Sequence, residues 1–359
     1  LCANPVHPGT GNKFQAETDY VAPGSSLRLT RYYNSGRGAF DRVLGGYWQH
    51  TYASKLLIDS AQTQATYYRN DGKQFVFNLQ SGSWVGDADV SDRLTEFKDA
   101  NQIRTGWSYY VAASDETERY DASGRLISIT RRAGLTRMLT LTDGTDGATS
   151  GNGGFVLDAA GNPTTAILPK GLLLRVRDHV GRTLAFGYDN LSRIVKITDP
   201  GGGVYFYDYG ANSNLVSVTY PGGGQRLYHY NEPAHTTGTN KPFALTGITH
   251  ENGMRFATYK YDSFGRAVES LHHAGGADVN RYQFAYNTSG GQTTVTDPQG
   301  TARAYSFQTT LGVVKNNGIT GPAGPQHGPA AQTFDANGNV ETRTDWNGNR
   351  TDYVYDLAR

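Results

Sequence analysis

Cysteine is almost missing from this chain. Cys2 is the single one in 359 residues, so no disulfide can form within it. That poverty suits a cytosolic protein and a bacterial exported one equally, because a large sheet can supply the stability that crosslinks give small domains. Cys2 is read as an idle terminal thiol, ahead of pairing with an upstream cysteine or carrying a lipid. No apolar run approaches the ~18 residues of a membrane-spanning helix. Charge is also sparse: 18% of residues are charged and the net charge is +1, against a usual ~25% charged. No Lys/Arg run reaches the ~5–8 residues of a nucleic-acid or lipid patch, and Arg131-Arg132 reads as a solvated turn. A signal peptide is absent. The chain starts at Leu1 and stops at Arg359 inside a repeat, and is expected to be a piece of a longer polypeptide whose export signal was removed or lies upstream.

Glycine and tyrosine are plentiful, with 45 and 24 copies. Glycine at this level, against a usual ~7%, points to a turn-rich β protein. Tyrosine fills a half-buried sheet face while its hydroxyl reaches water or a backbone partner. The tyrosines are periodic: Tyr188, Tyr209 and Tyr230 lie 21 residues apart. Leu184-x-Phe186-x-Tyr188 aligns with Tyr205-x-Tyr207-x-Tyr209 and Arg226-x-Tyr228-x-Tyr230 at alternate positions, which is strand periodicity. Ile194–Thr198 recurs as Leu215–Thr219, and Pro200–Gly203 as Pro221–Gly224. The same period separates Tyr286 from Phe307 and Phe334 from Tyr355, while a gap of 25 between Tyr261 and Tyr286 implies a short insertion. Self-similarity of this kind defines a repeat architecture.

Each unit is strand, turn, strand, turn. In Asp121-Ala122-Ser123-Gly124, Asp262-Ser263-Phe264-Gly265 and Asp335-Ala336-Asn337-Gly338 the Asp closes a turn on backbone two residues on, and the Gly takes positive φ. The second turn reads Asp199-Pro200-Gly201-Gly202, Asp297-Pro298-Gln299-Gly300 or Asp345-Trp346-Asn347-Gly348. The expected fold is all-β: consecutive antiparallel hairpins of about 21 residues forming a long curved or spiralling sheet. A soft boundary near Ser114 divides a mainly β leader module, 1–113, from a repeat sheet, 114–359.

Patterns that suggest chemistry mostly reduce to this turn grammar. Asp335 opens an apparent calcium loop, but Val340 stands where Gly is required and Trp346 where a bidentate Glu is required. Asp87, Asp89 and Asp92 lie outside the repeat and are the better cation candidates, weighed against an acidic solvated loop. Gly201-Gly202-Gly203 is no phosphate loop, since no Gly-Lys-Ser/Thr follows. His272-His273 falls at a second-turn position without further metal ligands nearby, His229 faces away from Tyr228 and Tyr230, and His50 reads as a strand anchor. There is no Gly-x-Ser-x-Gly elbow. The chain is expected to hold no catalytic, cofactor or metal site. Its sequons at Asn190, Asn287 and Asn349 fall in or beside repeat turns, where such residues are common.

Tyr120-Asp121-x-x-Gly124-Arg125-Leu126 and Tyr261-Asp262-x-x-Gly265-Arg266, with an aromatic strand following, resemble the YD repeat of RHS proteins, shared with shell subunits of bacterial ABC toxin complexes and with teneurins. Asn4-Pro5-Val6-His7-Pro8-Gly9-Thr10-Gly11-Asn12-Lys13, Asp19-Tyr20, Leu27–Ser35 and Leu44–His50 resemble the leader of bacterial RHS cores. The resemblance implies a segment of a β-cage enclosing a variable C-terminal toxin, secreted or at the cell surface of a bacterium, and used in interbacterial competition. The implied partners are the passenger toxin and missing repeats of the same chain, an immunity protein and secretion-spike proteins. Family self-cleavage residues are not carried over, because the Asp-Pro-x-Gly starts at Asp199 and Asp297 are repeat turns. With 359 residues an open curved sheet is expected, with self-association through its edges. The alternative is a surface adhesive or filament-forming protein binding carbohydrate. Exposed aromatics favour that alternative, and aromatics turned inward favour the shell.

Overall fold

The computed structural model describes residues 5–24, 26–36, 38, 41–287, 291–322 and 328–356. Cys2 and its expected role lie outside these residues. The leader begins with a four-stranded antiparallel sheet, Val6–His7, Asn12–Val21, Arg28–Asn34 and Trp48–His50, in sequential order. Residues 51–54 then lead into a second sheet that runs from Lys55–Ile58 to Arg350–Asp352, each strand antiparallel to its predecessor. This is the long hairpin sheet that the period requires. Its hydrogen-bonded ladder passes Ser114 within one hairpin, since Arg104–Val111 and Glu116–Asp121 pair over six positions. The break in pairing falls at residues 51–54.

The first strands of the long sheet curl back on themselves. Lys55 bridges Arg125, and Leu56 N donates to Gly124 O at 2.9 Å. The roll closes over aromatic packing, with Tyr67 stacked on Tyr109 at 3.8 Å and Trp84 edge-on to Trp107 at 5.2 Å. At the other end no register joins Arg350–Asp352 to Lys55–Ile58 among the described residues, so the sheet is open. It bends far enough for Lys315 to reach Asp89 at 2.7 Å.

Turn chemistry repeats with little variation. Asp121 Oδ1 accepts from the amides of Ser123 and Arg125, both at 2.9 Å. Asp262 does the same with Phe264 and Arg266, and Asp335 with Asn337 and Asn339. The second turns at Asp199, Asp297 and Asp345 use the same two bonds. One carboxylate thus satisfies two amides that the tight turn leaves without strand partners. Gly124, Gly265 and Gly338 sit at φ of 78°, 83° and 80°, where a Cβ would be strained.

Two departures from the period have local causes. Residues 142–172 leave the sheet and form a small hairpin, Phe155–Leu157 with Pro163–Ile167, while Thr136–Leu141 pairs directly with Leu173–Arg177. His272-His273 does not occupy a turn. Both lie in the strand Ala267–Ala274, which pairs as far as Ala274 with Ala277, and the reversal comes at Gly275-Gly276. The longer hairpin accounts for the 25-residue gap before Tyr286.

Candidate functional site

The large residues at alternate positions all turn to one face. Leu184, Phe186, Tyr188, Tyr205, Tyr207 and Tyr228 are buried there. Tyrosine rather than phenylalanine is used because the hydroxyls have assigned partners. Tyr188 Oη donates to Leu173 O at 2.7 Å, Tyr209 to Ile194 O at 2.7 Å and Tyr230 to Leu215 O at 2.9 Å. Each crosses fifteen residues, back to the first residue of the preceding hairpin's return strand. Tyr261 to Leu245 O, Tyr286 to Ala267 O and Tyr355 to Val340 O continue the series. Tyr120 departs from it and gives its hydroxyl to Glu118, which also accepts from Tyr67 at 3.0 Å.

The leader sheet lies on this tyrosine face and reads the same hydroxyls. Trp48 Nε1 donates to Tyr230 Oη at 2.8 Å, and Val43 O accepts from Tyr209 Oη at 3.3 Å. Tyr33 Oη donates to Phe243 O at 2.8 Å and accepts from Leu245 N at 2.9 Å. Backbone joins backbone as well: Ile194 N donates to Val43 O and Ala267 N to Gly11 O. At Gly45, φ is 85° and an added Cβ would run into the Ser213 carbonyl oxygen, so the two sheets meet at a distance only glycine permits.

At the centre of the contact is a buried charge cluster. Arg31 Nε and Nη2 hold Asp19 at 2.6 and 2.9 Å, and both side chains are fully buried. The repeats complete its shell: Tyr207 and Tyr220 donate to Asp19 at 2.9 and 3.2 Å, and Arg31 donates to Tyr228 at 2.7 Å. Burial pulls the Arg31 pKa down, but Asp19 and the surrounding tyrosines prevail and leave it well above its usual value. Burial, reinforced by the Asp19 charge, lifts the Tyr207 hydroxyl well above its ordinary range, so it stays protonated and donates. Nearby, Glu17 pairs with Arg226, which also reaches Glu251. Lys13 is buried over the Tyr259 ring at 4.1 Å, and burial drives its pKa well down.

The residues singled out by sequence fall into place as follows. Tyr188, Tyr209, Tyr230, Tyr261 and Tyr355 form the hydroxyl series, while Asp121, Gly124, Asp262, Gly265, Asp335 and Gly338 form the turns. Asp87, Asp89 and Asp92 do not share a site: Asp92 accepts from Tyr109 Oη and Ala112 N, and Asp89 pairs with Lys315. Among the described residues no three His, Cys, Asp or Glu side chains converge as metal ligands. His50 is buried and accepts from Tyr52 N at 3.2 Å, with burial lowering its pKa to about 4. His229 meets Thr249, and His273 meets Thr258. His272 and His250 stack on opposite faces of Phe256 at 4.3 and 3.9 Å. Asp19 and Arg31 were visible as part of the leader pattern and Arg226 as a repeat position, but the charge cluster they form with Glu17 and Tyr220 escaped sequence reading. The available signal was a leader strand, Asn12–Val21, that places Lys13, Glu17 and Asp19 on one alternating face in a charge-poor chain.

Stacked antiparallel hairpins tied by a tyrosine series, with a leader sheet on the tyrosine face, define a β-hairpin repeat protein. The RHS Repeat profile matches residues 168–204, and a domain described as of unknown function (DUF6531) matches residues 3–77. The chain is an RHS/YD-repeat protein. No curated protein matches it. Among solved structures it resembles the crystal structure of TcdB2-TccC3-Cdc42, with 13% identity, 96% of this chain and 19% of that chain covered, and a TM-score of 0.38. A Tc holotoxin pore from Photorhabdus luminescens aligns with 10% identity over 88% of this chain and 23% of that one, at a TM-score of 0.33. The N-terminal domain of effector SpvB from Salmonella typhimurium strain LT2 aligns with 12% identity over 80% and 97%, at 0.30. The chain spans about a fifth of the length of the first of these structures.

Proposed function

We propose that this chain is a non-enzymatic wall segment of an exported bacterial RHS toxin, whose shell encloses a C-terminal toxin passenger and helps deliver it in competition between bacteria. The observation that carries this reading is the direction of the aromatics. Tyr188 and Tyr261 are buried and Tyr209 and Tyr230 half-buried on the face the leader covers, so these rings are unavailable for stacking on sugars. A carbohydrate-binding adhesive needs such rings exposed, which disfavours the alternative. The wall itself needs no catalytic group: strand pairing and one-sided aromatic packing suffice to enclose a volume. Its partners on this reading are the passenger, the remaining repeats of the same polypeptide, an immunity protein and components of a secretion spike.

The test is electron cryo-microscopy of the intact natural polypeptide, with its gene sequenced past Arg359. Closed shells with internal density and an unrelated domain after the repeats are the expected result. Open sheets stacked copy on copy, with no passenger encoded, overturn it in favour of a structural or adhesive polymer.

A further inference from the structure

The repeats are similar enough that a leader docked on tyrosines faces a choice of position. Tyr188, Tyr209, Tyr230 and Tyr261 offer equivalent hydroxyls to equivalent carbonyls, and moving the leader by one hairpin is a shift of only ~10 Å, two strand spacings. Residues 51–54, which tether it to the roll, reach up to ~14 Å when extended. We propose that the buried cluster of Asp19, Arg31, Glu17 and their repeat partners is a register lock that fixes which hairpins the leader covers.

The lock works because its partners are the residues in which the repeats differ. Tyr220 closes a turn with its amide on Gly224 O, and the equivalent residue one repeat earlier is Asp199, whose amide bonds Gly203 O. A leader shifted one repeat toward the N-terminus therefore sets Asp19 against a second carboxylate. The same shift replaces Tyr207 by Phe186, removing a donor to Asp19, and Arg226 by Tyr205, removing the ion-pair partner of Glu17 and leaving it the Gln15 amide. Shifted the other way, the leader meets His250 in place of Tyr220, since His250 N bonds Met254 O in the matching turn, and Ala257 in place of Arg226, which again takes the arginine from Glu17. Each wrong position leaves a buried ion short of partners. Choosing one register among near-equals is the best attested use of buried polar groups. The docked position satisfies Asp19 fully, and its ion pair lies wholly within the leader. The discriminating contacts are thus all between leader and repeats.

A photocrosslinking residue in place of Tyr47, whose ring lies 5.1 Å from that of Phe243, reports the register in the full chain. The unaltered lock is expected to give product at residues 242–244 alone. Asp19→Leu with Arg31→Met and Glu17→Gln, which removes these ions of the leader while filling their volume, is expected to add a second product one repeat earlier, near residues 211–215. A second variant leaves the lock intact and copies it upstream: Phe186→Tyr, Asp199→Tyr and Tyr205→Arg together supply the partners of Asp19 and Glu17 one repeat earlier and are also expected to yield the earlier product. If both variants fold, by circular dichroism, and crosslink at 242–244 alone, the lock is refuted. Should the first variant fail to fold, the second decides the matter by the same criterion.

Discussion

The hydroxyl series allows one bond to be tested in two settings. Tyr188 and Tyr355 each donate to a carbonyl fifteen residues back, at 2.7 and 2.9 Å. Tyr188 is 1% exposed and Tyr355 41% exposed. Substituting Phe removes the donor and little else. At Tyr188 the Leu173 carbonyl loses its hydroxyl donor where water cannot replace it, a loss of about 1–3 kcal/mol. At Tyr355 water takes the place of the hydroxyl, and the change should stay under about 0.5 kcal/mol. With a urea m-value of about 3 kcal/mol/M, Tyr188→Phe should lower the unfolding midpoint by roughly 0.3–1 M and Tyr355→Phe by less than about 0.2 M. Unfolding followed by tyrosine fluorescence and circular dichroism gives both midpoints. Equal shifts for the two variants, or no shift for Tyr188→Phe at constant m, would refute the view that burial makes these bonds structural ties.

The closeness of leader and repeats predicts a contrast between glycines. Gly45 and Gly202 share φ of 85°, yet only at Gly45 does a Cβ meet backbone. Gly45→Ala should therefore cost about 1–3 kcal/mol more than Gly202→Ala in chemical denaturation, and equal losses would count against tight docking. Two buried groups predict opposing pH effects. His50, lowered to about 4 by burial, contributes stability that is present above its unfolded pKa of about 6.5 and is lost as pH falls toward 4. Glu118 is raised to about 7, mainly by burial. Its contribution is complete below about 4.5 and is lost as pH rises through 7. Each spans about 3 kcal/mol, and between pH 4.5 and 6.5 their slopes cancel. His50→Gln should expose stability that falls with rising pH across this window, and Glu118→Gln stability that rises. Urea midpoints measured at half-unit steps would show both, and a profile that stays flat in either variant contradicts the assignment.

Local rules carried most of the architecture. Tyr188, Tyr209 and Tyr230 disclose the repeat because tyrosine alternation and the Asp-x-x-Gly turn are set by near neighbours in the chain. The paired strands therefore follow from sequence almost residue by residue. What stayed hidden is non-local. Asp19 and Tyr207 are 188 residues apart, and nothing in the spacing of either indicates that one satisfies the other. The face that is interior was equally obscure, because Val204 and Phe206 are as apolar as the Tyr205 and Tyr207 they alternate with. Only the leader, by covering one face, distinguishes them. His272-His273 was misplaced for a related reason: a strand can outrun its period when Gly275-Gly276 supplies a later turn.

The curled start of the long sheet has a consequence for how the protein is made. Because Lys55 bridges Arg125 and Leu56 N donates to Gly124 O, the strand that would otherwise be the first open border is partly covered by a turn from its own chain. Among the described residues the far border of the long sheet, Arg350–Asp352, is the more open one, and such a border is renewed each time a hairpin is laid down. Translation delivers hairpins in that same order. The molecule therefore resembles knitting with a partly bound-off hem: stitches are added in the direction of synthesis, and a neighbouring molecule still being translated meets the newest row as the more open border.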